Sequence, residues 1–329
     1  METLEIVLIV LAAVCGIFFL WVLAGFIAFL ISFRKNSIVG KMINKKFRSQ
    51  LKQEYAIDYD WWEQVDNEKI TIQVGKEEQS GILLRRPTNK IAIVVHGIFG
   101  VHKDLAPQAK IFYDNNFNVF APTLRAHDDD KSKYISMGFY EKDDLVLWIG
   151  KLIEIFGEEC QIVLFGISMG AATCLLCANK NLQKNVKCIV SDSAFSSAYD
   201  ELKYLIKTRG HFPSFFVLPV MNFFFKVFGK FDLKKVLPIE SVKTSNLPIL
   251  FFHGTNDVFV PCLMTEKMFE SLNRNDCEKV IVSGAGHIQS YKYLGANYEK
   301  KCNRNCKVAY GSARFWKCNK SSAKPLRKL

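Results

Sequence analysis

From Ile6 to Phe33 the chain contains no charged residue, and this absence is the first constraint on what the protein can be. The gap runs for 28 residues, longer than the ~20 a helix needs to cross a hydrocarbon core. No small-residue cleavage site interrupts it, and the short stretch before it holds Glu2 and Glu5 where a secretory leader would carry lysine or arginine. A cleaved signal peptide is therefore disfavoured against an uncleaved transmembrane anchor. A second absence is acid. Residues 34–48 and 300–329 carry six and ten Lys/Arg respectively and no Asp or Glu, so that without them the net charge of +12 becomes −4. A mildly acidic body gives no support to a nucleic-acid partner. The flank Arg34, Lys35, Lys41, Lys45, Lys46 and Arg48 directly follows the apolar run, which places the body on the cytoplasmic side by the positive-inside tendency. Internal repeats and low-complexity linkers are also missing.

Histidine is scarce, with six in 329 residues, and no group of histidines and cysteines has metal-ligand spacing. Cys302, Cys306 and Cys318 offer three sulfurs but no nearby histidine for a fourth ligand, so no metal is expected. Ten cysteines lie mostly inside apolar runs, as packed thiols of a reducing compartment do. Cys174 and Cys177 form a C-x-x-C pair without the surroundings of a redox site and are read as buried packing.

What is present is a rhythm. Strand-length apolar runs occur at residues 69–74, 81–85, 91–95, 118–121, 162–165, 187–191, 248–252 and 280–282. Helix-period stretches separate most of the later ones, the clearest at 138–156, where Leu145, Trp148, Ile149, Leu152 and Phe156 recur at helical spacing. Such alternation predicts an α/β fold with a mostly parallel sheet covered on both faces. One block breaks the rhythm: residues 212–231 hold eight phenylalanines, with Pro213 and Pro219, and only Lys226 and Lys230 are charged. An insertion after the sixth strand sits above the carboxyl edge of the sheet, so the block reads as a helical cap, about 205–240, that contacts an acyl group or the bilayer, or as buried helices without a substrate role. Pro219 and the lysines disfavour a second membrane span.

Against this background Gly166-Ile167-Ser168-Met169-Gly170 acquires meaning, because it ends one apolar strand and opens a helix-like run. Glycines at both ends allow the sharp turn that exposes a serine hydroxyl as a nucleophile elbow. Ser168 then requires a base, an orienting acid and backbone donors for an oxyanion. His287 follows the last strand in Gly284-Ala285-Gly286-His287, and Asp257 follows the strand before it in His253-Gly254-Thr255-Asn256-Asp257. Asp192 is the rival for the acid. The turn His96-Gly97-Ile98-Phe99-Gly100 supplies an oxyanion donor at Ile98, with Phe99 as the alternative, beside the N–H of Met169. His96, His127 and His253 read as loop braces.

These motifs, with Ser191-Asp192-Ser193-Ala194-Phe195, resemble the α/β-hydrolase superfamily over about residues 50–300, and in particular its membrane-anchored bacterial members similar to serine aminopeptidase-type hydrolases. The resemblance implies an eight-stranded sheet and a cofactor-free Ser-His-Asp hydrolase acting on a small-molecule ester, thioester or peptide-like amide, a carboxylesterase or lipase first, with a peptidase as the alternative. A catalytically silent, membrane-tethered scaffold is the rival from another class. The expected organisation is a short N-terminal end (1–5), an anchor (6–33), a basic connector (34–59), the catalytic domain (60–300) and a basic, disordered tail (301–329), in which the closing amphipathic helix of the family loses its period at Cys302.

Overall fold

In a computed structural model, residues 3–178, 182–210, 213–272 and 274–310 are described. Eight strands form one sheet: β1 (Glu68–Val74), β2 (Glu77–Leu84), β3 (Lys90–Val95), β4 (Asn118–Pro122), β5 (Gln161–Ile167), β6 (Val186–Asp192), β7 (Ile249–Gly254) and β8 (Glu278–Val282). Their order is β1-β2-β4-β3-β5-β6-β7-β8; β1 and β2 pair antiparallel, β2 meets β4 antiparallel, and every later pairing is parallel. This is the sheet the resemblance implies. Its central strands are apolar on both faces because helices cover both: Ile91, Ile93 and Val95 face one core layer while Ala92 and Val94 face the other.

The helices in chain order are α1 (Thr3–Phe33), α2 (Ile38–Glu54), α3 (Ala56–Gln64), α4 (Ala106–Asp114), α5 (Glu141–Phe156), α6 (Met169–Cys177), α7 (Ala198–Thr208), α8 (Ser214–Phe224), α9 (Pro238–Thr244), α10 (Cys262–Glu270), α11 (Ser290–Leu294) and α12 (Ala296–Tyr310). Helices α7, α8 and α9, with a π-helical turn at Phe225–Gly229, occupy the insertion between β6 and β7, where the cap was expected.

Three expectations require correction. The chain does not lose its helix at Cys302: α12 continues to Tyr310, and its inner face buries Tyr298, Cys302 and Asn305. Lys301 pairs with Glu278 of the last strand, so the closing helix that the sequence begins at Ala296 is docked and continues past Cys302. The signal was weak because a single aromatic carries the packing, the ring of Tyr298 stacking on Phe252 at 4.2 Å. The tail beyond it, with Cys318, lies outside the described residues. Second, the boundary expected at residue 60 falls within α3, whose Tyr59 and Trp62 enter the core beside α4. Third, residues 34–59 do more than connect: α2 packs through Gly40 on Phe99, in the turn after β3.

Helix α1 is long and apolar enough to cross a membrane. Residues 3–20 are exposed throughout, and burial begins only at Trp21, where the helix meets the domain.

Candidate active site

Ser168 sits between the end of β5 and the start of α6 with φ 52° and ψ −120°, a conformation costly for a side chain with a Cβ. The turn is tight enough to need both motif glycines for close approach. A Cβ on Gly170 would lie 2.2 Å from the Val95 carbonyl oxygen, and one on Gly166 would lie 2.5 Å from the Gly170 backbone. Ser168 N–H donates to the Asp192 carbonyl at 2.8 Å, which ties the elbow to the neighbouring strand.

Asp257 and His287 arrive from the loops after β7 and β8. His287 Nε2 lies 2.9 Å from Ser168 Oγ, and His287 Nδ1 lies 2.7 Å from Asp257 Oδ2. With Nδ1 protonated toward the carboxylate, Nε2 is free to accept from the serine. The other oxygen of Asp257 accepts from the N–H groups of Phe259 and Val260, both at 2.9 Å, so the loop is closed around the carboxylate. Burial alone would raise this carboxyl, but the His287 imidazole and contacts from His253 outweigh it and hold it well below the usual carboxylate range. His253 is fully buried behind it, its Nε2 2.9 Å from the Val260 carbonyl and 3.2 Å from Asp257 Oδ2.

Asp192 is not brought to His287. It is buried at the end of β6 and accepts from Ser193 Oγ, Ser290 Oγ and Tyr298 Oη at 2.9–3.0 Å. Burial raises its pKa despite these donors. Ser193 Oγ in turn accepts from Ile288 N–H at 3.2 Å, so this second carboxylate braces the histidine loop and the closing helix.

In the His96–Gly100 turn the N–H of Phe99 donates to His127 Nε2 at 2.8 Å and is thereby committed. That leaves Ile98 as the donor candidate of this loop. Gly97 lies against the elbow: a Cβ there would stand 3.2 Å from the Ser168 Cβ. His96 Nδ1 lies 2.8 Å from the Gly97 carbonyl and its Nε2 accepts from Leu124 N–H. Burial pushes both histidines down, His96 well below its ordinary value and His127 to about 4, so both stay neutral and able to accept.

Four contributors were not singled out from sequence. Asp104, buried, accepts from Val101 N–H and Tyr59 Oη at 3.0 Å and from Arg48 Nε at 3.2 Å, linking α2 and α3 to the segment after the oxyanion turn. Gly40 of α2 presses on that turn, since a Cβ would come 2.8 Å from Phe99 Cδ1. Phe259 packs beside His287 with ring centroids 5.5 Å apart and the rings tilted, and the Arg209 guanidinium lies 4.8 Å from the centroid of the same phenyl ring. A cleft of about 340 Å³ opens beside His287, lined on one side by Phe47, Leu51 and Tyr55 of α2 and α3's cap and on the other by Ile288 and Lys292. These partners are far apart in sequence, and no motif links them. Among the described residues no cluster of histidine, cysteine and acid could hold a metal ion.

A doubly covered, mostly parallel sheet with a strained serine at the β5–α6 turn is the architecture of the α/β-hydrolase fold, and the chain has that fold. The family model for the alpha/beta hydrolase fold matches residues 92–236. The chain is 29% identical over 213 residues to the uncharacterized protein YqkD of Bacillus subtilis, covering 65% of this chain and 70% of that protein. It is 24% identical over 224 residues to the uncharacterized protein YfhR of Salmonella typhi, covering 64% and 70%. Among solved structures it is similar to the Pyrococcus furiosus esterase Pf2001, with TM-score 0.61 at 18% identity over 74% of this chain and 92% of the other. It is also similar to the Pyrococcus horikoshii acylaminoacyl peptidase, with TM-score 0.56 at 14% identity over 77% and 44%. At these identities the structural likeness concerns the fold.

Proposed function

We propose that the protein is a membrane-anchored serine hydrolase that cleaves carboxylic esters through an acyl-enzyme, with Ser168 as nucleophile, His287 as general base and Asp257 as the orienting acid. One observation carries the reading: the unbroken relay from Ser168 Oγ through His287 to Asp257, at 2.9 and 2.7 Å. His287 Nε2 takes the Ser168 proton as Oγ attacks the carbonyl carbon. The oxyanion then forms between the N–H groups of Ile98 and Met169. Collapse expels the alcohol, which leaves with the proton from His287. Water attacks the acyl-serine by the same route in reverse, releasing the acid and returning the proton to Ser168. No step calls for a cofactor.

The anchor is α1, and the basic residues that follow it assign the catalytic domain to the cytoplasmic side. Esters precede amides in this reading because a solved relative of similar extent is an esterase; the peptidase relative makes an aminoacyl amide the comparison substrate. Ser168→Ala is expected to abolish both labelling by a fluorophosphonate probe and turnover of a short p-nitrophenyl ester. Labelling that persists in that variant would overturn the assignment, and a wild-type enzyme that never forms an acyl-enzyme with esters, thioesters or amides would favour the scaffold.

A further inference from the structure

Helix α8 packs along the last third of α1 in a fixed parallel register. Trp21 Nε1 donates to the Phe216 carbonyl at 2.8 Å, Gly25 lies against Val220, and Phe29 stacks on Phe224, each pair separated by the same 195 positions. Phe26 on Phe224 at 4.7 Å and Phe29 on Phe225 at 5.0 Å complete the seam. A residue's level on α8 can therefore be read from its neighbour on α1.

The exposed part of α1, residues 3–20, is 18 residues and about 27 Å long at 1.5 Å per residue. That falls just short of the ~30 Å hydrocarbon core, so a bilayer crossed by α1 must reach Trp21 and the level of Phe215 and Phe216 beside it. These two rings, 4.3 Å apart, are 70% and 51% exposed. They begin an apolar stripe at helical spacing, Phe215, Pro219, Phe223 and Val227, whose members are all exposed. By the same offset Lys226 of the cap is level with Ile31 and Lys230 with Lys35, so the cap turns basic within about one helical turn of the point where α1 does, at Arg34 and Lys35, as elements leaving a lipid surface do. An apolar stripe continuous with a membrane helix, and ending where that helix becomes basic, fits acyl chains and not water.

We propose that the N-terminal turns of α8, led by Phe215 and Phe216, are embedded in the bilayer beside α1, so that the cap is a second membrane contact of the catalytic domain. The proposal rests on the anchor reading above. It implies that the domain cannot rotate freely about a single tether, and that the cap is held at the depth where esters of membrane lipids lie.

The test is photo-crosslinking of the full-length protein in phosphatidylcholine–phosphatidylglycerol vesicles, with p-benzoylphenylalanine placed singly at position 11, 215 or 293. Leu11 reports α1, and Tyr293 is an exposed residue on α11. Lipid adducts at 215 comparable with those at 11, and at least ~10-fold above those at 293, are expected for an embedded helix face. Adducts at 11 with none at 215, or adducts at 215 to a second copy of the chain, overturn the embedded cap and leave the anchor standing. Adducts at neither 11 nor 215 overturn both. The three positions are surface sites, and retained ester turnover in each substituted protein verifies folding.

Discussion

The turns that carry Ser168, Asp257 and His287 and the helical layer made by α1, α2 and α8 lie side by side but are built in opposite ways. Ser168 and Asp257 stand one and three positions beyond strands buried on both faces, and His287 follows the half-buried edge strand β8, so each place is set by the sheet register and by a glycine-bearing turn. The helical layer has no such frame. Its positions come from ring-to-ring contacts between segments nearly 200 residues apart, α1 and α8, and from the helix-to-loop contact of Arg48 with Asp104, 56 positions apart. The first kind of construction tolerates little displacement at the reacting atoms, while the second can loosen in small steps. Substitutions in the two regions should therefore differ in kind as well as in size.

The largest effect belongs to Asp257, the carboxylate of the proposed triad. Asp257→Asn keeps the loop hydrogen bonds to Phe259 and Val260 but favours the wrong imidazole tautomer, so kcat should fall on the order of 10⁴-fold with thermal stability nearly unchanged. Asp192→Asn should do the reverse, because its three donors, Ser193, Ser290 and Tyr298, support the histidine loop and α12 and do not reach the imidazole. A lower melting temperature with less than ~10-fold loss of kcat is expected. If Asp192→Asn costs as much activity as Asp257→Asn, the division of roles between the two carboxylates is wrong.

Next comes the junction of the two regions, where His127 holds the Phe99 N–H. Its pKa in the folded protein is lowered from 6.5 to about 4 by burial. Above pH 6.5 both folded and unfolded chains hold it neutral and it gives no pH dependence. As pH falls from 6.5 toward 4 the unfolded chain takes up the proton and the folded one does not, so stability is lost over that window, by up to ~3 kcal/mol. His127→Gln retains an acceptor but cannot titrate. The gap in stability between wild type and variant, followed by thermal unfolding in detergent, should shift against the wild type as pH drops from 7 to 4.

Within the helical layer, Gly25→Leu places a side chain where even a Cβ would be 2.4 Å from Val220 Cγ1. Forcing α8 off α1 should cost about 2 kcal/mol of overpacking and leave kcat for a short soluble ester within a factor of about two. A large loss of kcat would mean that the seam positions the triad, and the contrast between the regions would fail.

The same contrast explains what could be read from the sequence. The serine turn and the loops that bring Asp257 and His287 to it were legible because strand, glycine and polar residue are neighbours in sequence, and so were the central strands β3 to β7, whose apolar runs reflect helices on both faces. The extent of α12 was not, since among its described side chains only Tyr298, Cys302 and Asn305 are buried, within a basic run. The place of α2 was equally hidden. Its lysines look like a membrane flank, while Gly40 and Arg48, which make its contacts to Phe99 and Asp104, carry no periodic signal.

Arg48 gives the smallest prediction and the most informative one for that hidden contact. Its guanidinium is 39% exposed, so the pair with Asp104 is screened, but Asp104 itself is buried and keeps only Tyr59 Oη and Val101 N–H once the arginine is gone. Arg48→Ala should therefore cost about 1 kcal/mol, more than a surface pair and less than the loss of a fully buried partner. If α2 steadies the oxyanion turn through Asp104, the loss should appear as a few-fold lower kcat with KM unchanged, because a turn that donates only to the developing oxyanion acts on the transition state and not on ground-state binding. Lysine at this position reaches Asp104 with a single donor and should restore part of the rate. A higher KM at constant kcat would instead make α2 a wall of the substrate cleft beside His287, and its packing on the turn incidental to chemistry.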